Sequence, residues 1–150
     1  MKVIADLVKQ VADLQRRVSG MVRHGTVAEV DPKKGTVRLR IGGTDEKPFL
    51  SPALSYAQIG GALKVHTPPS VGQQMTIIGA GGDWRQGIAL PMTWSDQNKS
   101  PSEKGDEHVL TFGDVSVTIK GSSLKVVAGG TSFEIASGGI KAVADDYQFD

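Results

Sequence analysis

The sequence predicts a mainly β chain made of a short N-terminal helix, a small barrel and a tail of short strands that cannot stand alone. Three observations carry this. Nineteen glycines and only 5% aromatic residues in a 150-residue chain suit many turns and small cores. A heptad-like apolar repeat is confined to residues 3–21. Beyond residue 106, glycines recur about every eight residues, with alternating apolar and polar runs between them.

The N-terminal segment, 1–21, reads as a helix. Ile4, Leu7, Val11, Leu14, Val18 and Met21 recur at alternating spacings of three and four, an a/d seam. Isoleucine and valine occupy a, leucine and methionine d, which in the simplest rule favours two strands. Val3 and Val8 widen the stripe at its N-terminal end, a surface that a trimer buries better. The alternative is an amphipathic helix packed on its own domain, although such helices usually show a broader stripe than a strict a/d seam.

Residues 22–95 read as a barrel. Val22-Arg-His-Gly-Thr-Val-Ala-Glu-Val30 alternates, turns at Asp31-Pro32-Lys33-Lys34-Gly35 and returns as Thr36-Val-Arg-Leu-Arg-Ile41. Proline presets φ and glycine accepts a positive one, so this is a hairpin signal. Further strands are expected at 61–67, 74–78 and 87–92, and five short strands beginning with a hairpin match the economy of an OB-fold. Residues 96–106 are polar, lack apolar periodicity and read as a linker.

The tail, 107–150, carries Val115-Ser-Val-Thr-Ile119, Leu124-Lys-Val-Val127, Thr131-Ser-Phe-Glu-Ile135 and Gly139-Ile-Lys-Ala-Val143. Each run offers two or three apolar side chains on one face, and no helix pattern nearby could cover them. Such a segment needs copies of itself. The candidate interface residues are therefore Ile4, Leu7, Val11, Leu14 and Val18 on the helix, with Val115, Val117, Ile119, Leu124, Val126, Phe133, Ile135 and Ile140 on the tail.

Composition narrows the chemistry. With no cysteine there is no disulfide framework and no thiolate metal site. Asp6, Lys9 and Asp13 interrupt any signal-peptide apolar core, so synthesis in the cytoplasm is expected. Residues 1–95 carry a net charge of +5 and residues 96–150 one of −4. Gly79-Ala-Gly-Gly-Asp-Trp84 is superficially like a dinucleotide loop, but Trp84 stands where the third glycine would be and no amphipathic helix follows. His24, His66 and His108 lie far apart in sequence, no nucleophile elbow exists, and Asp145-Asp146 reads as a solvated turn. No catalytic, cofactor-binding or metal-ligating residue is therefore assigned, and the chain is not expected to be an enzyme. Lys33, Lys34, Arg38 and Arg40 are basic, but the first hairpin lacks the stacking aromatics of single-strand binders. A single-stranded nucleic-acid binder with an oligomerising tail is the alternative reading, and no nucleic acid is expected in the first.

Two stretches carry a resemblance. Pro68-Pro-Ser-Val-Gly-Gln-Gln-Met-Thr-Ile-Ile-Gly79 with Gly82-Asp-Trp-Arg-Gln-Gly87, and Met21-Val-Arg-His-Gly-Thr-Val-Ala-Glu-Val-Asp31, resemble the central spike of contractile phage tails, the baseplate assembly protein V type. The related spikes of type VI secretion systems and R-type tailocins share this layout. The resemblance implies a homotrimer in the virion, at the tail baseplate. Three barrels would plug the tail tube and meet the hub and tube proteins. The tails would form an intertwined triple-stranded β-helix that pierces the host envelope and transiently touches its outer membrane. Many members end in a histidine pair holding iron, whereas this chain has no histidine after His108 and closes on Tyr147-Gln-Phe-Asp150. No metal ligands are carried over, and either a metal-free tip or a separate tip protein is implied.

Overall fold

The structure is a computed structural model that describes residues 1–148. Phe149 and Asp150, the end of the closing stretch, lie outside the described residues. The chain divides into two compact units, Met1–Lys99 and Ser100–Asp150, a division that falls inside the segment read as a linker.

In the first unit, helix α1 (Lys2–Met21) passes directly into strand β1 (Val22–Asp31), with Val22 already extended. The first half of β1 pairs with β5 (Gln74–Ile78) and the second half with β2 (Thr36–Gly43). One long strand thereby serves two neighbours, and an irregularity between Val27 and Glu29 lets it bend between them. β4 (Leu54–Tyr56) pairs with β2 and runs parallel to β6 (Ile88–Pro91), which pairs with β5. The ring β1–β2–β4–β6–β5 closes as a five-stranded OB-like barrel, with β3 (Pro48–Leu50) added beside β2. The first hairpin forms as its residues predict: Asp31 Oδ1 accepts from the Lys33 and Lys34 amides at 3.1 and 3.2 Å.

Val27, Val37, Leu39, Leu54, Tyr56, Met75, Ile77 and Ala89 fill the barrel. Among them lies Ser51, whose hydroxyl accepts from the Leu39 amide at 2.9 Å and donates to the Pro52 carbonyl at 2.8 Å. That pairing removes the penalty of a buried polar group.

The strand expected at 61–67 does not form. Only an isolated bridge joins Gly60 and Lys64, because the Gln58 side chain, bonded to Thr67, holds this segment as a closed loop. β4 takes its place in the ring, and at three residues it is too short for alternation to reveal.

The second unit is an antiparallel meander of β7 (Glu107–Phe112), β8 (Val115–Lys120), β9 (Ser123–Ala128), β10 (Thr131–Ala136) and β11 (Gly139–Val143), ordered as in sequence. Six-residue strands joined by two-residue turns explain the glycine spacing. Gly113 and Gly129 take φ of +55° and +57°, as such hairpins require.

Candidate assembly interface

Opposed residues in an antiparallel ladder project to the same face, so register decides what the meander displays. Ile119 opposes Leu124, Leu124 opposes Ile135, and Ile135 opposes Ile140. A second row runs Leu110, Val117, Val126, Phe133, Ala142. A third begins Phe112, Val115, Ala128. All eight tail residues singled out in the sequence thus share one face. The opposite face presents Thr118, Lys125, Glu134 and Lys141 in one row, with Glu134 between two lysines.

No residue of this unit is buried among those described. Leu124 is 37% exposed and Ile140 68%, with the other large members of the face lying between them or half-buried. The face gains Leu110 and Phe112 from β7, and Phe112 is 90% exposed. Sequence reading missed these two because β7 precedes the first glycine of the ladder, although His108-x-Leu110-x-Phe112 alternates like its neighbours.

The helix shows the same condition. Ile4, Leu7, Val11, Leu14 and Val18 are 46% to 64% exposed, and α1 has no buried residue. The stripe is not packed on the barrel, which removes the alternative of a helix lying on its own domain. Only the helix end is seated. The Trp84 indole Nε1 donates to the Gly20 carbonyl at 2.7 Å, and the Gly79 amide donates to the Met21 carbonyl at 2.9 Å. Two orphan carbonyls of the last turn are thereby satisfied. Gly82 has φ +80°, and a Cβ there would fall 2.7 Å from the Arg17 carbonyl oxygen, so only glycine allows this approach. The glycine-rich 79–84 stretch connects β5 to β6 and also forms the socket for the helix end. Phe49 packs on Trp84 with ring centroids 6.0 Å apart.

Three basic residues of the first hairpin have acid partners. Arg38 lies 3.9 Å from Glu29 and donates to the Ser51 carbonyl, while Arg40 meets Asp45 at 2.7 Å and Lys34 meets Asp31 at 3.8 Å. The three histidines are dispersed: His24 contacts the Thr76 hydroxyl at 2.9 Å, His66 lies in the β4–β5 loop, and His108 stands on the apolar sheet face opposite Ile119. Among the described residues no group of three His, Asp or Glu side chains could hold a metal ion, and no helix is long and apolar enough to cross a membrane.

Comparison with known proteins agrees with this architecture. Residues 23–94 match the family model of the Type VI secretion system/phage-baseplate injector OB domain. The spike protein of Escherichia phage P2 is 31% identical over 137 residues, covering 88% of this chain. That alignment takes in 62% of the P2 protein, so the chain spans about six-tenths of the length of this relative. The match at 23–94 starts one residue into β1 and runs past β6, the stretch that closes the barrel. The barrel is thereby identified with the injector OB domain of phage baseplates and type VI secretion systems, and over most of its length the chain is similar to a phage spike protein.

Proposed function

We propose that this chain is the central spike of a contractile injection machine, a homotrimer at the tail baseplate whose barrels plug the tube and whose sheets form the shaft that pierces the host envelope. One observation carries the reading: five strands in register place three rows of large apolar side chains on one uncovered face. Three such faces turned toward one axis enclose a continuous apolar interior. The right-handed twist common to β-sheets winds the three sheets about that axis into a triple-stranded β-helix. Strand pairing inside each chain satisfies the backbone except along the outer edges of β7 and β11, so the chains are joined chiefly by apolar burial. The heptad stripe of α1 forms the second contact among the three copies, and Val3 and Val8 broaden it as a three-helix bundle requires.

Such a particle does its work mechanically and carries no chemistry of its own. Force comes from contraction elsewhere in the tail, and the hub, the tube proteins and a tip protein are its partners. The nucleic-acid alternative draws no support from the first hairpin, where Lys34, Arg38 and Arg40 are engaged by carboxylates. Light scattering on the purified full chain tests the proposal. A mass of three copies is expected at micromolar concentration; a stable monomer there would sink it.

A further inference from the structure

The connection between β4 and β5, residues 57–73, is long for a barrel of short strands, and loops of this length inside compact domains usually carry function. It is framed at both ends. The Ala57 amide donates to the Ala89 carbonyl at 2.8 Å, and the Gly72 amide donates to the Val27 carbonyl at 2.8 Å. Its neck is closed by one side chain. Gln58 Nε2 donates to the Thr67 carbonyl at 2.9 Å, while Gln58 Oε1 accepts from the Thr67 amide at 2.8 Å and from its hydroxyl at 3.1 Å. The Val65 amide donates to the Ile59 carbonyl and the Gly61 amide to the Leu63 carbonyl, so the tip is ordered too.

This order supports side chains that face water. Ile59 is 56% exposed and Leu63 67% exposed, and a Cβ at Gly60 or Gly61 would meet nothing within 4 Å. Lys64 and His66 flank the apolar tip, and residues 57–73 contain no aspartate or glutamate. A loop prearranged by its own hydrogen bonds loses little entropy when it binds.

We propose that this loop is a docking finger for a heterologous protein of the tail, one that offers an apolar socket with an acidic rim. Ile59 and Leu63 fill the socket, and Lys64 meets the rim. The charge decides the occupant: the loop carries Lys64 and no carboxylate, so the same loop of a second copy offers it no counter-charge, whereas an acidic rim does. The inference rests on the spike reading and identifies one face through which such a spike is held.

The chain has no cysteine, so Leu63→Cys introduces a unique thiol for a benzophenone photo-crosslinker. In tail particles assembled with the labelled full-length chain, illumination is expected to join the finger to a different tail polypeptide. The double variant Ile59→Ser with Leu63→Ser, and separately Lys64→Glu, should enter particles about tenfold less well, the effect of losing about 1.4 kcal/mol of contact. Crosslinking to a second copy of this chain, or wild-type incorporation of both variants, would overturn the proposal. Light scattering on the variants reads the spike hypothesis separately: an unchanged oligomer with lost incorporation isolates the finger, whereas a monomeric parent chain removes the hypothesis beneath it.

Discussion

The barrel and the glycine-phased sheet are woven from the same kind of short alternating strand, yet only the barrel has an interior. In the barrel, β1 pairs with two neighbours and closes the ring, so Leu39, Met75, Ile77 and Ala89 are wholly buried. In the sheet, each strand pairs with the next and the ring never closes, so Ile119, Leu124 and Ile135 remain 37% to 45% exposed. Alternation makes an apolar face; topology decides whether one chain can cover it. The barrel is therefore expected to fold within a single chain, and the sheet only with its copies.

The strongest way to break this comparison is Ile119→Asp. Ile119 sits mid-row between His108 and Leu124, and a carboxylate there must either be buried unpaired or keep the face wet. Loss of the oligomer is expected by light scattering, while the barrel still melts as a cooperative unit by near-ultraviolet dichroism. A soluble, unchanged oligomer would contradict the inward assignment of this face.

Leu39→Ala asks the converse question. It removes a fully buried side chain from the barrel and leaves the sheet untouched, so urea denaturation should show a loss of about 3 kcal/mol, within the usual range for such cavities. The oligomer should persist at low denaturant. Dissociation at the same urea concentration as barrel unfolding would mean that the two units do not stabilise independently.

How much of this was legible beforehand follows the same division. The ladder could be read because its period of eight is the sum of a six-residue strand and a two-residue turn, and all eight candidate residues named from it share one face. The heptad stripe and the first hairpin were legible for similar reasons: their signals are local. What was not legible depends on partners distant in sequence. β4 is three residues long and owes its place to β2 and β6, so no alternation betrays it. Residues 61–67 alternate well enough to suggest a strand, but their one bridge is the local Gly60–Lys64 pair, and the Gln58–Thr67 clamp closes them into a loop. The sequence of 79–84 shows only a glycine run that fails as a dinucleotide loop, since nothing local announces that Trp84 will meet Gly20 sixty-four residues away.

That socket gives a smaller effect. Gly82→Ala forces a left-handed residue to carry a Cβ against the Arg17 carbonyl, a strain of about 2 kcal/mol. Hydrogen exchange at the last turn of α1 should quicken about tenfold or more, with the barrel amides unchanged. Unaltered exchange would show that the helix end is held without this contact.

The smallest effect concerns the entrance to the sheet. The Ser102 hydroxyl donates to Glu107 Oε1 at 2.6 Å and holds the carboxyl below the usual glutamate range, Lys120 at 3.4 Å assisting while partial burial opposes. A carboxyl depressed in the folded state stabilises fully above its unfolded value, about 4.3, and loses that contribution as pH falls through the lower folded value. Segment 100–106, tied to β7 through Ser102, should therefore loosen only below about pH 4, while the rest of the meander holds its pairing. Amide exchange at Lys104, whose N–H donates to the Ser102 hydroxyl at 3.1 Å, is the readout. Glu107→Gln removes the titrating group, so that amide should exchange faster at neutral pH and lose its acid dependence. Persistence of the same acid transition in Glu107→Gln would assign it to another carboxylate, and the entrance would then owe its order to the backbone alone.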